Sequence, residues 1–540
     1  MYALRERTTR DFGRADVGNI LLFGERNRFR APAELPYPGL WVTHPASTAK
    51  QHASTTERIE SKIRQVPLKH WIVALTIVCA AVFAWVHLQG ASIWYDEAIT
   101  LLTTSGHARL EWSLGLWQFN PTLNLRKILF DLYNQDVHPP LYFWTLAIWR
   151  TLFGSSLEVA RAFSALLVLG SLGFLYRLAL DCRMRKPWVP VALYAASSAG
   201  MWYAYDARPY AMATFLILST QLLARKRSPW TGLCGAAAFA THYFAVLCVG
   251  PVLALECYRK WRAERLWSVR TALSFLIGST PLLLLLRIHF VARPNQYPGF
   301  GFFPKEVWAL LKGAAQGIMP NTWLPGWRMA LLLAGFFAIA GARRAIKQNR
   351  FTLPILYGTF LLGFLVLAVV TDKSIAQMPA GYYLGIAAPW MALLVGRGID
   401  AFPRMSYVLA LAVVIGLIAQ RPIVRTVDYR QIVGRMNAEC KHCPVLVGTG
   451  YAGAVPACVL YEARGMHVFV LKPEDSVREV AQKVGGRGTI FFIPSNEPPT
   501  AKVEYEFLED YSAARRNGYF EVSLDRPPAI ERTAMKSGRR

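Results

Sequence analysis

The fold is decided by the stretch WIVALTIVCAAVFAWVHL, which runs from Trp71 to Leu88. This apolar run carries no Asp, Glu, Lys or Arg, and it is long enough to cross a bilayer as one helix. Basic residues precede it at Lys62, Arg64 and Lys69, and positive charge favours the cytoplasmic side of a membrane. The run therefore predicts a first membrane span that follows a cytoplasmic arm.

The arm, residues 1–68, is polar and rich in Arg, so we expect it to be disordered. No apolar segment follows Met1 closely, and a cleavable signal peptide is therefore not expected.

The composition of the whole chain points to a membrane protein. It has 540 residues, of which 54% are hydrophobic and 17% charged, and its formal net charge is +26. These values exclude a disordered chain and argue against an ordinary soluble enzyme. The excess positive charge could belong to a nucleic-acid surface, to a surface for anionic lipids, or to cytoplasmic loops. Most basic clusters lie in short loops between apolar runs, so we favour the last reading and expect no nucleic-acid partner.

Further apolar runs raise the predicted number of spans to about eleven and indicate a multi-pass α-helical membrane domain over residues 69–425. The large first outer loop, 90–158, contains one more apolar segment, Leu141–Phe153, which is short for a crossing. Reading it as a helix on the membrane surface leaves every cytoplasmic loop basic, whereas reading it as a span would invert them all. The other runs lie at about 160–180, 188–204, 210–223, 230–241, 243–256, 271–290, 327–341, 353–370, 382–395 and 406–420.

The last part of the chain, 426–527, alternates strand-like and helix-like segments and predicts a small extracytoplasmic α/β domain, followed by a tail at 528–540. Cys440 and Cys443 could form a disulfide in such a compartment, and the second close pair that a zinc ribbon needs is absent. The predicted strands are Pro444–Gly450, His467–Leu471 and Thr489–Pro494, and the predicted helices are Val455–Ala463 and Val477–Val484.

Two adjacent carboxylates, Asp96 and Glu97, open the first outer loop within the sequence Trp94-Tyr95-Asp96-Glu97. At a membrane surface, a partly desolvated carboxylate can act as a general base or bind a cation. The alternative is a solvated pair just outside the lipid.

Phosphate-binding chemistry is suggested by two later segments. His138 stands before Pro139-Pro140, where a helix N-terminus could meet phosphate, although a simple capping turn fits as well. Asp206 and Arg208 lie in the loop Tyr203–Tyr210, at the depth of the membrane surface, where ionisable residues are costly. Arg208 could clamp a phosphate, or it could pair with Asp206 to hold a turn.

Two residues carry weaker signals. Lys373, in the predicted outer loop Thr371–Ala380, could touch a phosphate, although a solvated lysine is the simpler reading. His242 lies at a short outer turn, where packing at the interface competes with contact to a metal or substrate. Because the loops of Asp96, His138 and Arg208 are all predicted on one side of the membrane, the sequence predicts that they form one site.

Together these motifs resemble those of the GT-C glycosyltransferases, and in particular the bacterial relatives of protein O-mannosyltransferases and of lipid A aminoarabinose transferases. The pattern covers residues 71 to about 430, and its first two motifs are the more specific ones. The matching stretches are SIWYDEAIT at 92–100, DVHPPLYFWTLAIWRTLFGSSLEVARAFSALLVLGSL at 136–172, YAYDARPYAM at 203–212 and TVDYRQIV at 426–433.

The resemblance implies a GT-C-like fold in the cell (inner) membrane, with the catalytic acid in the first outer loop. It also implies a polyprenyl-phosphate-linked sugar donor, inverting transfer on the outer face, and a glycan, lipid or protein acceptor. Carried over by position, Asp96 is the candidate catalytic base or acceptor-orienting acid, Glu97 is its neighbour, and Asp206 fits the second acidic loop. The candidate substrate-binding residues are then His138, Asp206, Arg208, Tyr210 and Lys373.

Some members of this family bind a divalent metal near these loops, which makes a divalent metal one candidate cofactor. This chain reads Asp206-Ala207-Arg208 where an Asp-x-Asp pair would stand, and that departure argues against metal dependence. No other cofactor is implied.

Two other classes of function compete with the transferase. A lipid-linked sugar flippase or transporter would place polar groups near the bilayer midplane in related halves, whereas these acids lie at the mouths of loops and no internal repeat is evident. A sensor or assembly protein would act through the C-terminal domain. There, Gly448-Thr449-Gly450 after a strand is too weak for a nucleotide-binding fingerprint.

Overall fold

The structure is a computed structural model that describes residues 67–525 with several gaps. Nearly all of the predicted arm 1–68, the tail 528–540 and most of the last predicted span, 406–420, lie outside the described residues. The gaps are 91, 108–112, 115, 136–137, 292–299, 319–326, 349–350, 378–379, 403, 405–406, 409–410, 412–426, 450–453, 473, 486 and 496–500.

Helices dominate the described residues, with single turns of 3-10 helix between some of them. Up to residue 300 they are α1 (Leu68–Gly90), α2 (Tyr95–Thr104), α3 (Leu125–Gln135), α4 (Leu141–Phe153), α5 (Leu157–Asp181), α6 (Trp188–Ala195), α7 (Ser198–Ala204), α8 (Tyr210–Arg225), α9 (Thr231–Thr241), α10 (Val246–Lys260) and α11 (Arg265–Val291). The later ones are α12 (Phe303–Gln316), α13 (Trp327–Lys347), α14 (Thr352–Val370), α15 (Ala380–Leu384), α16 (Ala388–Ile399), α17 (Tyr429–Glu439), α18 (Ala454–Glu462), α19 (Val477–Lys483) and α20 (Ala501–Asp510).

The predicted membrane spans that the structure describes are helical, but most of these helices are too short or too polar to count as candidate spans. Among the described residues, three helices are long and apolar enough to cross a membrane, at His70–Leu88, Leu157–Asp181 and Thr352–Val370. The total of about eleven is therefore not confirmed. One reason is visible in the predicted run 188–204, where Ser197 Oγ accepts a hydrogen bond from Gly200 N–H (2.9 Å) and starts a new helix. The single predicted run is thus divided into α6 and α7.

The predicted surface segment Leu141–Phe153 forms a helix with those bounds, α4, which begins directly after Pro140. Its inner side is fully buried at Tyr142 and Phe143, and at its other end Leu152 is exposed. An orientation along the membrane surface stays a prediction.

Arg150 of α4 joins several parts of the first outer loop. Its guanidinium is buried and donates to the carbonyl oxygens of Leu101 (3.0 Å), Phe119 and Ser155 (2.9 Å). Burial lowers the pKa of Arg150 to about 10, because the charged form loses its hydration. By donating to these carbonyl oxygens, Arg150 links α2, the 3-10 turn that ends at Phe119 and the end of α4.

The predicted α/β domain is present as a six-stranded sheet among the described residues, in the order β1-β3-β2-β4-β6-β5. β2, β3 and β4 are parallel and joined by α18 and α19, as predicted, and the β2 residues are buried as expected for an inner parallel strand. The sequence did not predict the other three strands. The strands are β1 (Ser113–Leu114), β2 (Val445–Gly448), β3 (Val468–Leu471), β4 (Thr489–Ile493), β5 (Ser512–Arg515) and β6 (Phe520–Ser523).

The first outer loop and the C-terminal domain share one structure. β1 comes from the outer loop and pairs antiparallel with β3, with Ser113 opposite Phe469. One hydrophobic cluster contains residues of both regions, among them Ile93 and Leu101 from the loop and Val447 from β2. The two regions therefore lie on the same side of the helical domain.

Candidate active site

The first turn of α2 presents the two adjacent carboxylates. Trp94 is extended at the N-cap, and its carbonyl oxygen accepts the first helical hydrogen bond from Ala98 (2.9 Å). Carboxylates in the first turn interact favourably with the positive end of the helix dipole. Since consecutive helical residues point in different directions, Asp96 and Glu97 enter different environments: the Asp96 side chain is 29% exposed, and that of Glu97 is fully buried.

Glu97 forms a buried bidentate ion pair with Arg161 of α5. Arg161 Nε lies 2.8 Å from Oε1, and Nη2 lies 2.7 Å from Oε2, with both side chains at 0% exposure. Glu97 Oε1 also accepts from the backbone N–H of Ala207 (3.1 Å), and Arg161 donates to the carbonyls of Leu88 and Ser92. This pair therefore joins the end of α1, the Asp96 motif, α5 and the loop before α8.

Arg161 was missed by the sequence analysis. The signal that could have found it is a lone basic residue near the start of the apolar run 160–180, since ionisable groups in such runs usually have a partner.

Asp96 faces Arg208 across a looser contact. Arg208 Nη2 lies 3.7 Å from Asp96 Oδ2 and 3.3 Å from His138 Nε2. Its other terminal nitrogen donates to Thr100 Oγ1 (3.1 Å) and approaches the Asp96 carbonyl oxygen (3.4 Å). The structure thus brings together Asp96, His138 and Arg208, which the sequence predicts in one site from three separate loops.

Asp206 is close in sequence to Arg208 but is buried, with 1% of its surface exposed. Its Oδ1 accepts a hydrogen bond from the indole Nε1 of Trp94 (2.9 Å), and its carbonyl accepts from the N–H of Arg208 (2.8 Å). Asp206 therefore connects the two acidic motifs. Trp94 is a second residue whose contact the sequence did not reveal.

Aromatic rings form one wall of the site. The ring of Tyr210 stacks on Tyr203, with 5.3 Å between centroids, and lies 5.0 Å from His242 and 4.4 Å from Tyr382. The His242 ring is in turn 5.6 Å from His138. Tyr210 and His242 are predicted contacts, whereas Tyr382 was not singled out. Such rings can stack against the apolar faces of a ligand.

Lys373 lies in the turn after α14 and is half-buried. The turn contacts both α12 and the segment before it. The neighbouring Asp372 Oδ1 accepts from Phe300 N–H (2.9 Å), and Ser374 Oγ donates to Glu306 in the first turn of α12 (2.7 Å). The chain continues from this turn towards Tyr382 in the aromatic wall.

The structure also bears on two features weighed in the sequence, a candidate divalent metal and the glycines of Gly448-Thr449-Gly450. In the part of the chain that the structure describes, no group of three or more His, Cys, Asp or Glu side chains could hold a metal ion. The carboxylate at the centre, Asp96, faces the guanidinium of Arg208. In the sheet domain, a Cβ on Gly448 would stand 1.8 Å from Glu504 Oε1, so this glycine leaves room for a carboxylate of the protein itself.

Cys440 and Cys443 are joined by a disulfide. The pairing is the one the sequence suggested for a domain outside the cytoplasm.

Comparisons with known proteins give distant structural likenesses. No protein-family model matches the chain, and no curated protein matches it. It is similar to the crystal structure of ArnT from Cupriavidus metallidurans bound to undecaprenyl phosphate, with a TM-score of 0.48 and 15% identity over 85% of this chain and 100% of that one. It is also similar to the apo structure of the same protein, with a TM-score of 0.39 and 13% identity over 84% and 99% of the two chains. ArnT is a lipid A aminoarabinose transferase, one of the groups that the motifs resemble.

Proposed function

We propose that this chain is an integral-membrane glycosyltransferase that moves a sugar from a polyprenyl-phosphate-linked donor to a glycan, lipid or protein acceptor on the outer face of the inner membrane. The observation that carries the proposal is the meeting of a partly exposed carboxylate, Asp96, with Arg208 and His138 at one end of an apolar helical domain. A general base and a cationic phosphate ligand, here Arg208, are the two parts that such a transfer needs.

In the proposed reaction, Asp96 is the general base that accepts the proton of the acceptor hydroxyl. The acceptor hydroxyl attacks the anomeric carbon from the side opposite the phosphate, a new C–O bond forms, and the bond between the anomeric carbon and the phosphate oxygen breaks with inversion. Asp96 removes the proton of the hydroxyl as the attack proceeds. Its exposed fraction leaves room for an acceptor, which the fully buried carboxylate of Glu97 does not have.

Arg208 and His138 face the leaving phosphate. The departing group keeps the electron pair of the broken bond, so its negative charge rises in the transition state, and the fixed guanidinium of Arg208 stabilises that charge. Arg208 is held in place by Thr100 and needs little reorganisation. Lys373 is a further candidate for the same phosphate, and Tyr210 and the ring of Tyr382 could pack against the sugar.

The location of the site explains why such an enzyme would be in a membrane. A polyprenyl chain would remain in the lipid while its phosphate reaches the surface, where Asp96 and Arg208 lie. We place the N-terminal arm in the cytoplasm and the C-terminal domain outside it, together with the first outer loop with which it shares a sheet.

The proposal is tested in two steps. First, a deletion strain is compared with the strain that carries the gene by mass spectrometry of glycolipids and glycoproteins, and we expect one sugar modification to disappear. Second, the purified full-length protein in detergent is mixed with lipid extract from the deletion strain, and the sugar should move to its acceptor. A flippase would lose the modification in cells but give no product in detergent, where no membrane separates the reactants, and that result would reject the transferase.

A further inference from the structure

The segment that leads into the Asp96 motif is held by a residue from the far end of the chain. Glu462, the last residue of α18, is 10% exposed in its side chain. Its Oε1 accepts hydrogen bonds from the hydroxyl of Ser92 (3.1 Å) and from the backbone N–H of Ile93 (3.2 Å). The contact spans about 370 residues of sequence and reaches a point three residues before Asp96.

The Ile93 N–H needs this contact. Ser92, Ile93 and Trp94 are outside any helix or strand, and Ile93 is fully buried, so its N–H cannot turn to water. A buried backbone donor without an acceptor destabilises the fold, and this one finds its acceptor in Glu462.

Neighbouring contacts fix the same segment from the other side. Arg161 Nη2 donates to the Ser92 carbonyl oxygen (3.2 Å), and the Trp94 indole donates to Asp206 (2.9 Å). These contacts help to set the position of α2, and of Asp96 on its first turn. From the C-terminal domain, Glu462 holds this segment together with the backbone N–H of Arg430, which lies 3.4 Å from Ser92 Oγ.

We propose that Glu462 is a positioning residue, through which the C-terminal domain holds the Asp96 motif in its productive geometry. This inference rests on the proposed transferase function and assigns a task to a domain whose role the sequence left open. A misplacement of about 1 Å at a reacting group can reduce a rate by about a hundredfold, so one lost anchor next to Asp96 should reach the chemistry.

The test is a series of full-length variants compared at equal membrane level. Glu462→Ala should lower the rate of transfer by about 10- to 100-fold, while the affinity for undecaprenyl phosphate stays within about threefold of wild type. Glu462→Gln keeps a side-chain oxygen that can accept from Ile93 N–H and Ser92 Oγ, so transfer should largely return. If Glu462→Ala acted through a general loss of structure, the transfer rate and the affinity for undecaprenyl phosphate would fall together. The glutamine variant would then transfer as slowly as the alanine variant.

Two further variants control the experiment. Glu479→Ala removes an exposed carboxylate of the same domain, whose hydrogen bonds to Ser476 are local, and it should transfer at the wild-type rate. Ser92→Ala removes the Ser92–Glu462 hydrogen bond from the other side and leaves Glu462 with Ile93 N–H. Because this hydrogen bond is lost in both variants, the double variant should lose less than the sum of the two single losses. If Glu462→Ala accumulates poorly, Ser92→Ala alone keeps the test open, because it should also lower the transfer rate, while unchanged transfer in it would count against the positioning role.

The outcomes separate the two proposals. If the wild-type protein transfers no sugar, the transferase itself fails, whatever the variants do. If the wild type transfers and Glu462→Ala is equally fast, or the glutamine variant is as slow as the alanine variant, the positioning role is overturned while the transferase stands.

Discussion

The two ion pairs formed by the consecutive residues Asp96 and Glu97 differ in contact distance and in exposure. Glu97 and Arg161 meet at 2.7 Å with no exposure, in a bidentate pair that also takes a backbone N–H. Asp96 and Arg208 meet at 3.7 Å, and the Asp96 side chain keeps 29% of its surface open. Both pairs connect the first outer loop to the helical domain, but one has no room for another molecule and the other has.

The difference follows from what each pair must do. A buried charge is tolerated only when its partner and hydrogen bonds replace water, which describes Glu97 and explains why its contacts are short. A carboxylate that must take a proton from a substrate needs an open side and a partner that does not occupy both oxygens. We infer that the tight pair holds the structure and that the loose pair meets the substrate.

The largest effect should come from removing the base without changing its shape. Asp96→Asn cannot accept the proton of the acceptor hydroxyl, and we expect transfer to fall by about 10²–10⁴-fold. The contact with Arg208 is long, at 3.7 Å, and Asp96 is 29% exposed, although Arg208 is 5% exposed, so the loss of stability should be smaller than the ~3–5 kcal/mol of a fully buried pair. Transfer in detergent and thermal unfolding of the same preparation measure the two effects. Wild-type transfer by a well-folded Asp96→Asn variant would reject Asp96 as the base.

Much of this arrangement could be read from the sequence because its signals are local. The bounds of α4 were predicted at both ends from an apolar run with prolines in front of it. The alternation of β2, α18, β3, α19 and β4 was predicted from hydrophobic patterning, and the three loops of the site from their place along the chain.

The parts that the sequence did not reveal depend on contacts between distant residues. Strand β1 has two residues, and it becomes a strand only because β3 offers an edge to pair with. Nothing near Glu462 in the chain points to Ser92, and nothing near Glu97 points to Arg161. The adjacent acids look equivalent in sequence, and only the helix geometry sends one to solvent and the other to the interior.

The next effect tests the role of the tight pair. Glu97→Ala leaves Arg161 buried without its carboxylate, and removing one partner of such a pair costs about 3–5 kcal/mol. We expect less protein in the membrane and a lower unfolding temperature. Because Arg161 also holds the Ser92 carbonyl oxygen, transfer per folded molecule should fall too, but by less than in Asp96→Asn. A Glu97→Ala protein that folds like wild type but transfers no sugar would instead place Glu97 in the chemistry, as its position beside Asp96 first suggests.

A smaller effect should separate donor binding from the chemical step. Arg208→Ala removes a charge-assisted contact to phosphate, which is worth about 1.5–3 kcal/mol, so the Kd for undecaprenyl phosphate should rise by about 10- to 100-fold. Arg208→Lys keeps the charge but not the planar, two-pronged guanidinium, so its Kd should lie between those of wild type and Arg208→Ala. Titration of the purified protein with undecaprenyl phosphate measures all three. An unchanged Kd in the alanine variant would remove Arg208 from the phosphate site.

The smallest effect concerns the loop of Lys373. Burial by itself would raise the pKa of Glu306, but hydrogen bonds from Ser374 Oγ and from the N–H groups of Ala376 and Gly301 outweigh it and lower the pKa. A carboxyl whose pKa is lowered by folding stabilises the protein above its ordinary pKa of 4.5, and that contribution is lost as the pH falls through the lower, folded value.

Glu306→Gln has no charge to lose. We therefore expect the variant to unfold at a lower temperature than wild type at neutral pH, by roughly 1–2 °C in so large a chain. The difference should narrow as the pH falls below 4.5, because wild type loses its carboxylate there and the glutamine variant does not change. Comparing the melting temperatures of wild type and Glu306→Gln at each pH from 3 to 7 subtracts the titration of the groups that the two proteins share. A difference that stays constant or widens towards low pH would mean that the carboxylate does not anchor this loop through its charge.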